Sequence, residues 1–262
     1  MATDQLEADR ADVESVHSGW LAEFRIDPVI TRIFVWSGLS LVLMTAVGFA
    51  WLMHMVPPHS PTDSAEQTLA WVKGNQTSIL IGAAMVTFFW SFWVTWGAPL
   101  ILYIRRMERA PLLTFASLAC VGGGSAIIIS IAVAWTVMAY RAENPLVVQL
   151  FHDFGWFGFL YTWPPFGLFM LFVAAAILRD VNPRPILPRW LAYYNIYAAI
   201  AMFPASFMGL FKVGPLAYNG VLAFWLVAID FFLWMVVMSV VLLKAINADA
   251  RRTASRSSCD AV

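Results

Sequence analysis

Six apolar runs, each long enough to cross a lipid bilayer, constrain this chain more than anything else in it. They lie near 31–54, 78–104, 112–139, 154–178, 190–212 and 217–244. A hydrocarbon core of about 30 Å needs about 20 apolar residues in helix. Lipid offers no water to pair with exposed backbone groups, so only helices or closed barrels can span it. Barrel strands alternate over about 10 residues, and these runs are longer and uniformly apolar. The expected fold class is therefore all-α, a polytopic helical bundle. Composition agrees: 61% of residues are hydrophobic and only 12% charged, with a mean hydropathy of +0.73. A soluble domain is typically about 25% charged.

The distribution of positive charge predicts the orientation. Of the 16 Lys and Arg residues, only Lys73, Arg141 and Lys212 fall on one side of the six spans. Positive residues stay on the cytoplasmic side, so both termini are expected there. Residues 1–27 are acidic and polar, with Arg10 and Arg25 their only Lys or Arg residues. That pattern differs from a cleavable leader, so the first span is expected to serve as an uncleaved insertion signal. Within this segment Val13, Val16, Trp20, Leu21 and Phe24 share one helical face, which predicts an amphipathic helix lying on the membrane surface. The expected organisation is a cytoplasmic segment over 1–27, a six-helix membrane domain over 28–246 and a disordered cytoplasmic tail over 247–262.

Local signals mark several edges. Asp27-Pro28 suits a helix start. The three prolines of residues 179–190 predict an extended loop that delivers Trp190 to the interface. Residues 55–77 form the longest expected external connection.

Net charge is +0, which argues against nucleic acid as a partner. Cys120 and Cys259 lie too far apart in sequence to suggest a disulfide framework or a zinc site. Neither phosphate-loop and dinucleotide fingerprints nor nucleophile motifs occur. No cofactor is expected from motifs, and the chain leans away from being an enzyme.

One acidic residue sits deep within a span. Asp230, in AFWLVAIDFFLWMVV, is expected about 16 Å below the outer surface. A carboxyl group at such depth is costly and should face the bundle interior. It reads either as a proton relay or ligand contact, or as a protonated side chain bonded to a neighbouring helix. At the same depth Tyr161, Trp163, Pro164 and Pro165 interrupt the fourth span, where the prolines cannot donate to the carbonyls of Leu160 and Tyr161. Pro99 and Pro204 break other spans in the same way. Such breaks form binding sites in some carriers and simple kinks elsewhere. Asp230, Tyr161, Trp163, Pro164 and Pro165 together make the candidate ligand site.

A second group lies at the outer surface: His54, His59, His152, Asp153 and Lys212. Imidazole and carboxylate ligate transition metals, so His54, His152 and Asp153 form a candidate metal set, with a haem between His54 and His152 as its redox variant. The other reading is a rim of interfacial polar residues. Trp90, Trp93 and Trp96 form a ridge that drifts around the second span, and Gly122-Gly123-Gly124 suits close helix approach.

The stretch FKVGPLAYNG, with Phe211, Lys212, Gly214, Pro215, Asn219 and Gly220 as its fixed points, resembles a pattern between the last two helices of a family of uncharacterised bacterial integral membrane proteins. The resemblance spans roughly residues 150–245 and implies a bacterial inner-membrane protein, with no catalytic residue. Three functions fit: a small carrier or proton-linked permease, a lipid-binding or scaffold protein accompanying a membrane enzyme, and a histidine-ligated redox protein. Membrane lipid, a second copy of the chain or a membrane-associated protein are the expected partners.

Overall fold

The computed structural model of the chain describes residues 27–259; these are 81% helical overall, with no strand among them. The amphipathic helix expected over Val13–Phe24 lies outside the described residues. Helix α1 (Pro28–Val47) runs on into a π-helical turn, Gly48–Leu52. Helices α2 (Ala65–Trp90) and α3 (Phe92–Met107) make one long rod interrupted at Ser91. After α4 (Leu112–Tyr140), a second interrupted rod comprises α5 (Pro145–Leu160) and α6 (Trp163–Leu178). Helix α7 (Arg189–Met202) continues as a 3-10 helix, Phe203–Leu210, and a π-helical turn, Val221–Trp225, leads into α8 (Leu226–Cys259). Five helical stretches are long and apolar enough to cross a membrane: Pro28–Leu52, Ala65–Met107, Leu112–Tyr140, Pro145–Leu178 and Val221–Arg252.

Helix starts follow the capping chemistry. Asp27 accepts from the backbone N–H groups of Val29 (2.8 Å) and Ile30 (3.2 Å), with Pro28 in the first turn. Asn144-Pro145 repeats the device, so the fourth rod begins nine residues earlier than its apolar run suggested. Ser64 and Gln67 form a capping box. The helix that follows occupies residues 65–77, which hydropathy alone had assigned to a loop. Pro204 ends the α-helical part of the fifth run, leaving 14 α-helical residues followed by eight in the tighter 3-10 form. At the other end of the chain α8 continues to Cys259. It thereby occupies most of the stretch expected to be a disordered tail.

The tryptophan ridge turns inward. Trp93 and Trp96 are fully buried, and Trp90 is 6% exposed. Four indole N–H groups bridge helices. Trp93 donates to the Val121 carbonyl of α4 (3.1 Å), and Trp96 to the Ser239 hydroxyl of α8 (2.9 Å). Trp234 donates to Asn195 of α7 (2.8 Å), and Trp163 to the Ala199 carbonyl of α7 (2.7 Å). Small residues make room for the rings. Gly38 seats the Trp96 indole and Gly155 that of Trp135, so closely that a Cβ at either would overlap the ring. Gly124 of the triple-glycine run sits against Trp93 and Phe166.

At one end of the bundle Arg106 pairs with Asp249 (2.6 Å), Tyr103 donates to the same carboxylate (3.2 Å), and Arg32 donates to Asn247 (3.1 Å). The proline-bearing loop is tied down rather than extended. Asp180 accepts from the N–H groups of Asn182 and Ile186, Asn182 donates to the Arg106 carbonyl (2.9 Å), and the Val181 N–H reaches the Met107 carbonyl (3.1 Å). Trp190 is exposed at its end.

The tryptophan seats give a paired test. Gly38→Ala must displace the Trp96 ring and should cost about 1–3 kcal/mol, the usual range for overpacking. Gly74→Ala, in open space on α2, should be neutral or slightly stabilising. Thermal unfolding in detergent distinguishes the two, and equal melting temperatures would remove the seat argument.

Candidate functional site

The mid-depth break is a helix restart. Tyr161 ends α5, Thr162 stands at the N-cap of α6, and Pro164 and Pro165 occupy its first turn. There a missing N–H leaves no intrahelical bond unmade. Tyr161 packs its ring against Phe157 (5.4 Å between centroids), with its hydroxyl over Gly209. Trp163 packs on Phe203 (5.5 Å) while bonded to Ala199. Pro165 lies beside Gly123 of α4. The break is thus built against α4, α7 and the 3-10 helix.

Asp230 occupies a different face of the bundle. It is 5% exposed, and its Oδ2 has no hydrogen-bond partner. Its electrostatic neighbour is Tyr194 of α7, whose buried hydroxyl is likewise unpartnered. Four residues on, Trp234 bonds to Asn195 of that same helix. Val227, Ala228, Phe231 and Phe232, by contrast, line a cleft together with Thr162 at the break. At about 100° per residue, Asp230 lies about 130° around α8 from the centre of that face. Asp230 thus faces α7 away from the cleft, and Tyr161, Trp163, Pro164 and Pro165 are not among the cleft's walls.

The cleft is narrow and open on one side; the space between its walls, counted out to its open mouth, comes to about 400 Å³. Trp90 of α2, Ile128 and Ile131 of α4, Phe159 of α5, Thr162 and Phe231 are among its walls. A neighbouring recess of about 320 Å³, reaching Phe49 and Trp135, shares Trp90, Ile128, Ile131 and Phe159. Thr162 was missed in the sequence, although Thr-Trp-Pro-Pro carries a helix-start signal inside an apolar run: an N-cap type followed by proline.

At the opposite end from Arg106 a second site surrounds His152, which is 1% exposed. The Trp156 indole N–H donates to its Nε2 (3.1 Å), so the neutral ring carries its proton on Nδ1, 3.4 Å from Asp153 Oδ1. Gln149 donates to that carboxylate (2.9 Å) and accepts from Thr68 of α2 (2.7 Å). Tyr218 stacks flat on Trp156 at 5.6 Å, with the His152 ring 6.1 Å away. His59 packs tilted against Trp71 (4.2 Å between centroids) and lies 6.5 Å from His152, with Nδ1 3.9 Å from Asp63. The i, i+4 spacing of His152 and Trp156 in FHDFGW was the signal available for this pair.

The FKVGPLAYNG turn positions Tyr218. Gly214 adopts φ +88°, the left-handed region that favours glycine. The Pro215 carbonyl accepts from Leu222 (2.9 Å) and Ala223 (3.3 Å), and Gly220 lies so close to that carbonyl that a Cβ would overlap it. Lys212 is exposed and Asn219 half-buried.

His152 and Asp153 come together here, whereas His54 is exposed. Among the described residues no three His, Cys, Asp or Glu side chains stand together in a way that could hold a metal ion. The expected set of His54, His152 and Asp153 is therefore not assembled. Burial pushes the His59 pKa below its ordinary value, helped by the nearby His152 and opposed by Asp63. Burial, together with the charges of Asp153 and Asp63, raises that of the Tyr218 phenol.

No protein-family model matches the chain, and neither a curated protein nor a solved structure matches it.

The lowered His59 pKa fixes the sign of a pH effect. Below its ordinary value of 6.5 the unfolded chain takes up a proton that folded His59 resists. This contribution to stability is therefore present above that pH, falls as pH drops through it, and levels off below the folded value. His59→Gln should flatten that part of a melting-temperature profile between pH 7.5 and 5; an unchanged slope would show that His59 does not contribute to it.

Proposed function

We propose that the chain is a bacterial inner-membrane protein with six crossings and cytoplasmic termini, and that it binds a membrane-dissolved apolar molecule in the mid-depth cleft. The charge split and the gathering of Arg32, Arg106 and Asp249 at one end support the orientation. Helix α7 and its 3-10 continuation together run about 37 Å, enough for a sixth crossing.

The cleft carries the functional reading. Interlocked tryptophans fill much of the interior, and a narrow opening remains where α4 and α8 face each other. The outward sides of those helices carry Ile129 (58% exposed), Val133 (54%) and Ile229 (62%). The lipid phase therefore reaches the cleft edge, and whatever fills it dissolves in that phase. An aliphatic and aromatic wall selects by shape and apolarity, which suits binding better than bond-making chemistry.

Filling the space tests this reading. Ala228→Trp should abolish retention of an apolar photoreactive probe, diazirine-bearing hexadecane, in nanodiscs while leaving the protein folded. Retention at the same residues in the variant would refute a binding role for the cleft.

A second reading, a proton-linked carrier, rests on Asp230 alone. A buried carboxyl oxygen without a partner is costly in a membrane and marks a functional group by default. Asp230→Asn should insert and fold normally but lose protein-dependent decay of an imposed pH gradient in proteoliposomes. Equal decay in both proteins would remove the carrier reading.

A further inference from the structure

We infer that the junction of the α3–α4 and α6–α7 loops binds an anionic phospholipid whose headgroup carries two phosphates. The inference goes beyond the cleft. It rests on the helices that cross the bilayer, and neither on the cleft nor on the side the termini face.

Three crossing stretches have an end at this junction: Ala65–Met107, Leu112–Tyr140 and Pro145–Leu178. The ends of crossing helices lie at headgroup level. The Val181 N–H donates to the Met107 carbonyl (3.1 Å), and the Asn182 side chain to that of Arg106 (2.9 Å), so the two loops are held against each other. Arg109 and Arg179 stand two residues from the first of these contacts, and Arg184 three. Their backbones therefore lie within about 11 Å of it.

The carboxylates of the junction are committed to their own loops. Glu108 accepts from the backbone N–H groups of Leu113 and Thr114 (2.9 Å each) and from the Thr114 hydroxyl. Asp180 accepts from the backbone N–H groups of Asn182 (2.9 Å) and Ile186 (2.8 Å) and from the Asn182 side chain (2.6 Å). Arg109, Arg179 and Arg184 are exposed, and none of their guanidinium groups has an ion pair or hydrogen bond among the described residues. Residues 105–109 and 179–184 together hold five arginines and two carboxylates, and Asp249 of α8 takes up Arg106. Two positive charges remain, which two phosphodiester groups balance. Guanidinium suits them because it binds phosphate through paired N–H donors.

A lipid fits better than a soluble anion because apolar surface continues from the arginines. Leu112 (75% exposed), Phe115 (64%) and Leu118 (55%) follow Arg109 along one side of α4 into the bilayer. Acyl chains can lie on that side while the phosphates sit on the arginines, the arrangement of basic headgroup pockets between helices. A soluble diphosphate leaves the apolar side unused.

The test is native mass spectrometry of the full chain in detergent, with tetraoleoyl cardiolipin or dioleoyl phosphatidylglycerol added. Cardiolipin should half-saturate the protein at roughly tenfold lower concentration than phosphatidylglycerol, the ratio expected for one further charge-assisted bond. Arg109→Gln/Arg184→Gln should abolish that preference. Arg109→Lys/Arg184→Lys should weaken it, since an ammonium makes no bidentate bond. Lys244 and Arg251 are exposed on a face of α8 about 140–160° around from Asp249. Lys244→Gln/Arg251→Gln removes the same charge and should leave the preference intact. Equal affinity for the two lipids would overturn the two-phosphate assignment. Equal losses in the glutamine pair and its charge-matched control would overturn the junction as a site. Displacement of cardiolipin by equimolar pyrophosphate would overturn the lipid in favour of a soluble anion. None of these results bears on the cleft, so the two readings fail separately.

Discussion

Four tryptophan N–H groups tie the helices of this bundle to one another, the kind of bond that helices apolar enough to cross a membrane need in order to associate. Lipid tails are as apolar as leucine, so apolar burial contributes little between helices, and packing and hydrogen bonds must bring them together. Here the bonds form a chain. Trp93 joins α3 to α4, Trp96 joins α3 to α8, Trp234 joins α8 to α7, and Trp163 joins α6 to α7. Each ring also fills space between the same helices. Trp96, for example, stands edge-on to Trp234 at 5.2 Å and stacks with Trp93 at 5.4 Å. Because an indole buried in lipid without an acceptor is penalised, each bond fixes the rotation of its helix as well as its distance from the next.

That chain explains where the bundle is tight and where it is open. Helix α8 is bound to α3 and α7, and α4 to α3, but α4 and α8 face each other across the cleft. Helices α2 and α5 are tied elsewhere: Thr68 to Gln149 near the histidine end, and Gln76 to the Ala139 carbonyl of α4 (2.8 Å). Open space is left at mid-depth, the level at which α2 gives way to α3 and α5 to α6. Those two interruptions lie beside it because a break turns side chains off the regular ridge.

Much of the architecture was legible in residue order. Apolar run length marked six spans, of which five fall in helical stretches long and apolar enough to cross a membrane, and Asp27-Pro28 placed the first start. The misreadings share a cause: hydropathy reports lipid contact, whereas helix formation follows caps and propensity. The polar first turns of α2 were read as loop despite Ser64 and Gln67, and the arginine-bearing end of α8 was read as tail. The tryptophan ridge was visible but its direction was not, because an indole facing lipid and one facing Ser239 leave the same pattern in sequence. The pairing of His59 with His152 depends on a loop fold and a turn around Gly214, and no spacing between them encodes it.

Asp230 shows most clearly what one sequence coordinate leaves open. Depth along α8 placed it level with the break, and depth was taken for proximity. Rotation decides otherwise, since Trp234 commits one face of α8 to Asn195 on α7, and Asp230, one turn earlier, points the same way. Phe231 and Phe232 then fall on the cleft side. The separation has a physical consequence. A carboxyl group on the cleft wall would need a polar partner whenever the cleft held an apolar molecule, and its desolvation would oppose binding. Held against Tyr194 instead, it leaves the cleft wall without a charged group.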